Sequence, residues 1–173
     1  MSISLYSASV ETYLQTLPAV AGLIDKAEAW CRENGLPDTA LTEASLAPDM
    51  WHFAKQVMVV AAHSAGTIRA LAGGTFGPDL SPAPTDFASL RAAITDAIAY
   101  LRSVDPAEVN ARAGQDMNFV FGERRMPFTA ETFVLSFSLP NFFFHASAAY
   151  AILRAKGLPV GKGDFLGALR MRG

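Results

Sequence analysis

Residues 132–152 read TFVLSFSLPNFFFHASAAYAI, twenty-one consecutive positions without an Asp, Glu, Lys or Arg. Two kinds of element hold such a run: a membrane span, or a helix buried in a helical domain. The length suits a span of about 20 residues, but Ser136, Ser138, Pro140, Asn141, His145 and Ser147 would carry polar groups and a helix break into hydrocarbon. The run therefore reads as a central helix, apolar on nearly every side because neighbouring helices or a second subunit cover it.

This helix starts near Thr129, whose hydroxyl can cap it, with Glu131 in the first turn. It ends at Lys156-Gly157, where Arg154 and Lys156 suit the negative end and Pro159 prevents continuation. Just before it, MNFVFGERRMPFT alternates apolar and polar residues about Gly122-Glu123, which predicts a small β-hairpin leaning on the helices, since two strands alone are marginal. A third helix, capped by Thr85 or Asp86, runs through Leu101 with Phe87, Leu90, Ile94, Ile98 and Leu101 on one side. FGPDLSPAPTD forms the longest linker, and ahead of it a second helix, Met50 to Ala72, stops at Gly73-Gly74. The first helix spans Ser9 to Arg32, with Val10, Leu14, Leu17, Ala21, Ile24 and Cys31 inward and Glu28 as a polar interruption. Pro18 predicts a kink there or a later start. The glycine-rich tail after Gly157 is irregular and long enough to fold back over the end of the bundle. The expected fold is all-α: a four-helix bundle with a small β-hairpin between helices 3 and 4, as one domain over residues 1–173.

Composition restricts the partners. Hydrophobic residues make up 51% and charged residues 17%, which predicts a large core or a buried subunit interface, and so an oligomer. A net charge of −2 without a dense Lys/Arg block excludes the field that draws nucleic acid or an anionic membrane. The lone Cys31 cannot pair internally and reads as core, and MSISLYSASVETY lacks the features of a signal peptide, so a cytoplasmic address is expected. No Gly-rich phosphate loop follows a strand, and no Glu-x-x-His motif occurs.

Ser138, Asn141 and His145 are spaced by three and four residues and share one stripe of the last helix, while Phe133, Phe137 and Phe144 form another. Pro140 removes a backbone donor and frees the carbonyl near Ser136, a break that Asn141 or Ser138 can repair. That leaves His145 without a structural task. Helix 2 offers His52, Gln56 and His63; His52 and His63 face the same way but stand about 16 Å apart, so they share a side and not a site. His63 and His145 each lie near mid-helix and come level. Two readings stay open: a polar or metal-binding pocket of His145, His63, Asn141 and Gln56, or a hydrogen-bonded core His145 beside an ordinary His63. In the first, His145 and His63 would ligate a divalent metal such as Zn, Ni, Fe or Mn, although the usual third ligand is not visible.

The strings LAPDM, LPNFFFH, AYAILRAKG and GKGDFLG, in that order, resemble a bacterial family known only as a domain of unknown function, number nineteen-ninety-three. The resemblance covers nearly the whole chain, from SLYSASV to DFLG. It implies the DinB/YfiT-like superfamily of four-helix bundles, often dimeric, many of which bind a divalent metal through one histidine on the second helix and a His-x-x-x-His pair on the fourth. Some are thiol transferases using bacillithiol or mycothiol. Here the pair is broken: Ala149 stands four residues after His145 and Asn141 four before it. An asparagine carbonyl suits hard cations and is a weak partner for zinc or nickel. Two classes of function are consistent with these features. One is a dimeric small-molecule-binding or assembly module with an internal polar pocket; the other is a divalent-metal-dependent enzyme of DinB-like type, thiol transfer or hydrolysis, centred on His145 and His63.

Overall fold

A computed structural model describes residues 3–171. The elements are α1 (Leu5–Glu33), α2 (Thr39–Thr42), α3 (Phe53–Ala61), a π-helical segment (Ala62–Gly66), α4 (Thr67–Gly73), β1 (Thr75–Phe76), α5 (Phe87–Ser103), α6 (Pro106–Asn110), β2 (Asp116–Phe121), β3 (Arg124–Thr129), α7 (Ala130–Phe133), a second π-helical segment (Val134–Ser138), α8 (Leu139–Ala155) and α9 (Lys162–Leu166). The fold is mostly helical with a small sheet. The exact count of four helices is not met: α6 and α9 are short additions, α2 is a single turn in the loop that begins at Pro37, and π-helical turns interrupt the second and last of the long helical stretches.

The polar ends form as side-chain chemistry dictates. Ser4 caps α1 by accepting from the Ser7 amide, so the helix starts before the predicted Ser9 and runs through Pro18 rather than after it. Asp86 caps α5, and Thr129 caps α7 in a reciprocal box with Thr132. Gly74, at φ +65°, ends α4 in the left-handed conformation. The interior is closed by Tyr13, Leu17 and Ile24 of α1, Phe53 and Val57 of α3, Leu90 and Ile94 of α5, and Phe142 and Ile152 of α8, all fully buried. Cys31 is buried with them.

The hairpin forms where alternation placed it. β2 and β3 pair antiparallel, Phe121 opposite Arg124, across a two-residue turn in which Gly122 supplies φ +58°. A third strand was missed: β1 runs parallel to β2, with Phe76 opposite Phe119, because Gly74 turns the chain straight from α4 onto the sheet edge. Pro127 is tolerated because β3 is an outer strand of the order β1-β2-β3. The tail does fold back. On α9, Asp164 pairs with Lys26 of α1 at 2.5 Å and the Leu166 carbonyl accepts from Gln15, while Phe165 meets Tyr150 of α8 edge-on. Among the described residues no helix is long and apolar enough to cross a membrane.

The π-helical segment Val134–Ser138 corrects one stripe. Phe133 is fully buried and Phe137 half-buried, but Phe144 is 59% exposed. On an uninterrupted α-helix the three would share a face. The wider π turn rotates α8 by about a quarter turn relative to α7, which turns Phe144 outward.

Candidate functional site

The sheet, α3, both π-helical segments and α8 surround a chamber of about 220 Å³. The π-helical segment Ala62–Gly66 contributes His63, α8 contributes His145 and Asn141, and the turn before α3 contributes Trp51. Phe76 of β1, Phe119 of β2 and Phe137 make an aromatic wall, with ring centres 4.8 Å apart for the Phe119–Phe137 pair. The loop Pro78–Pro82 crosses the opening. Lys55 of α3 ties it down, its ammonium donating to the carbonyls of Asp79 and Ser81 at 2.9 Å each while lying 5.8 Å from the Trp51 ring centre.

Trp51, His145 and His63 follow one another with nearly parallel rings. The Trp51 and His145 centres are 5.6 Å apart at 22°, and those of His145 and His63 are 6.3 Å apart at 14°. His63 and His145 are 7% and 6% exposed, so both belong to the interior. Burial disfavours the imidazolium and lowers each to about 4, assisted at His63 by the neighbouring His145 ring. Both rings are neutral near pH 7.

The hydrogen bonds fix one ring completely. The amide nitrogen of Gln56 donates to the Trp51 carbonyl at 2.9 Å, which can only accept. The Gln56 oxygen is therefore the atom 2.6 Å from His145 Nδ1, so Nδ1 carries the proton and Nε2 is a bare acceptor. His63 is held from behind instead. Ser138 donates to the His63 carbonyl at 2.8 Å and accepts from Tyr13 at 3.0 Å and Thr67 at 2.6 Å, which saturates its hydroxyl. Burial holds the Tyr13 phenol above its ordinary range, so it remains a donor. His63 Nδ1 is buried with no partner.

Of the residues predicted for the site, His145, His63 and Asn141 line the chamber, and Gln56 stands behind it, bonded to His145 and to the Trp51 carbonyl. Asn141 donates to the Phe137 carbonyl at 2.7 Å, the local repair its place after Pro140 implied, one residue away from the carbonyl expected. Ser138 takes no part in that repair. His52 lies elsewhere: its Nδ1 donates to the Thr42 carbonyl at 2.9 Å, at the start of α3. Sequence reasoning missed Trp51, Lys55 and the aromatic wall. Trp51 preceding a helix that bears two inward polar residues was the one available signal; Phe76 and Phe119 required knowing that β1 joins the sheet.

Residues 5–166 match the family described as Domain of unknown function (DUF1993). The chain belongs to the DUF1993 family. No curated protein matches it. Among solved structures, this DUF1993 chain is similar to a DinB family member protein from Shewanella denitrificans, with 26% identity over 98% of this chain and 95% of that one and a TM-score of 0.80. The DUF1993 fold is thus DinB-like.

Proposed function

We propose that the protein is a small-molecule-binding module whose ligand occupies the chamber beside His63 and His145. The observation that supports this most is the pairing of an aromatic-walled cavity with two neutral, buried imidazoles, one oriented by Gln56 and the other left with an unpaired nitrogen. A cavity of about 150 Å³ lined by Leu, Ile and Phe takes benzene, so 220 Å³ has room for a substituted ring. Screening a panel of aromatic and aliphatic small molecules by thermal shift tests the reading. A ligand held at a hundredfold over its Kd should add about 2.7 kcal/mol, and the gain should vanish in Ala62→Trp, which fills the chamber from a half-buried wall position.

A metal-dependent enzyme is the second reading, favoured by the Gln56–His145 bond, since an orienting partner on Nδ1 is what metal-bound histidines have. The residues fit a metal poorly. Among the described residues no group of three His, Cys, Asp or Glu side chains converges. With metal–nitrogen distances of about 2.05 Å, ring centres 6.3 Å apart imply an angle of about 160° at the metal, whereas a tetrahedral site draws them to about 5 Å. Stoichiometric retention of zinc, nickel, iron or manganese by wild type and its loss in His145→Ala would favour this reading over the first.

The proposal includes a homodimer. Leu135, Phe143 and Phe144 leave a partly apolar surface on the last long helix that a second copy would cover. Sedimentation should give twice the 18.5 kDa chain mass, and Phe144→Glu should return the monomer.

A further inference from the structure

Within the small-molecule reading, we infer that the chamber selects an uncharged aromatic alcohol of the phenol class, whose hydroxyl bridges His63 and His145. The assignment starts from tautomers. His145 presents a bare Nε2, because Gln56 and the Trp51 carbonyl together commit Nδ1 to donating. In His63 the unpartnered Nδ1 is enclosed by protein. Orphaned buried N–H groups are rarer than orphaned acceptors, so the proton resides on Nε2, the remaining nitrogen. One ring therefore offers an acceptor and the other a donor. A single group that donates and accepts at one atom satisfies both, and a hydroxyl is that group.

The spacing agrees. Ring centres 6.3 Å apart, with planes within 14° of each other, leave room for one oxygen at hydrogen-bond distance, about 2.8 Å, from a nitrogen of each ring. The rest of the ligand meets Trp51, Phe76, Phe119 and Phe137, whose rings reward a flat apolar body. Lys55 has two of its three donors committed to loop carbonyls, so the site is not built around a carboxylate or phosphate.

Calorimetry on the full chain near pH 7 with 4-ethylphenol, 4-ethylanisole and 4-ethyltoluene tests this. The first and third are close in shape and the second adds a methyl group on the oxygen; the second can accept but not donate, and the third does neither. The phenol should bind at least about tenfold more tightly than either analogue, because each leaves a buried polar nitrogen unpaired. Gln56→Leu, which removes the acceptor that fixes the His145 tautomer, should reduce that preference. Equal affinity for all three, or for phenol and anisole, overturns the hydroxyl bridge and leaves the small-molecule reading standing. If all three fail to bind, the phenol assignment is overturned as well, and the wider ligand panel then decides the fate of the chamber as a binding site. Imidazole nitrogen-15 spectra give an independent test: His63 protonated on Nδ1 would refute the assignment.

Discussion

Ser138 shows how much a single hydroxyl can organise. It gives its proton to the His63 carbonyl and takes protons from Tyr13 and Thr67, so three helical stretches meet on one oxygen. Ser138→Ala strands two buried donors and an acceptor and should cost about 2–4 kcal/mol in denaturant unfolding, whereas Tyr13→Phe removes one donor and should cost about 1 kcal/mol. The two histidines make stability depend on acid. Their folded values near 4 lie below the unfolded value of about 6.5, so between those limits the unfolded chain binds more protons. Stability should be full above about pH 6.5 and decline toward pH 4, by up to about 1.4 kcal/mol per pH unit for each ring. Melting temperatures from pH 7.5 to 4.5 check this, and His63→Phe should flatten the decline. At this scale the sequence was informative about His145 and His63, whose positions follow from helical rise. It was silent on Trp51, whose neighbours depend on how a turn enters α3.

Among the elements, periodicity carried far where backbone hydrogen bonding is regular. The caps at Asp86 and Thr129, the stop at Gly74 and the Gly122 turn are each a local chemical decision and could be read directly. The π-helical segments could not, because they arise from how long helices settle against their neighbours. The quarter-turn at Val134–Ser138 is why Phe144 defies its spacing while Phe142 and His145 face inward. Strand β1 escaped for a similar reason: two residues have no period. Its approach is tight enough that a Cβ on Gly74 would lie 3.0 Å from the Asp116 carbonyl oxygen. Gly74→Ala combines that contact with a left-handed φ and should cost about 1–2 kcal/mol in thermal unfolding. Lys55→Met should release the Pro78–Pro82 loop, seen as faster amide exchange there with little change in the helices.

Over the full chain, the tail is a structural component. Gly167, at φ +66° and ψ −159°, passes so near the Gln15 carbonyl that no side chain fits. Gly167→Ala should displace α9 from α1 and lower stability by about 1–3 kcal/mol in denaturant titration, while ligand affinity stays unchanged, because the chamber shares no residue with that contact. The pairs Lys26–Asp164 and Arg170–Glu11 on the same face are exposed and screened by solvent, so they contribute little beside that contact.

This closure of the last residues onto the first helix bears on how the chain is made. Synthesis delivers α1 before any of its partners, and its contacts include α8 and α9, at the opposite end of the polypeptide. The side of α1 at Tyr13, which packs on Phe142 and bonds Ser138, thus stays uncovered until the last long helix is made, and a ribosome stalled short of it would hold a nascent species prone to self-association.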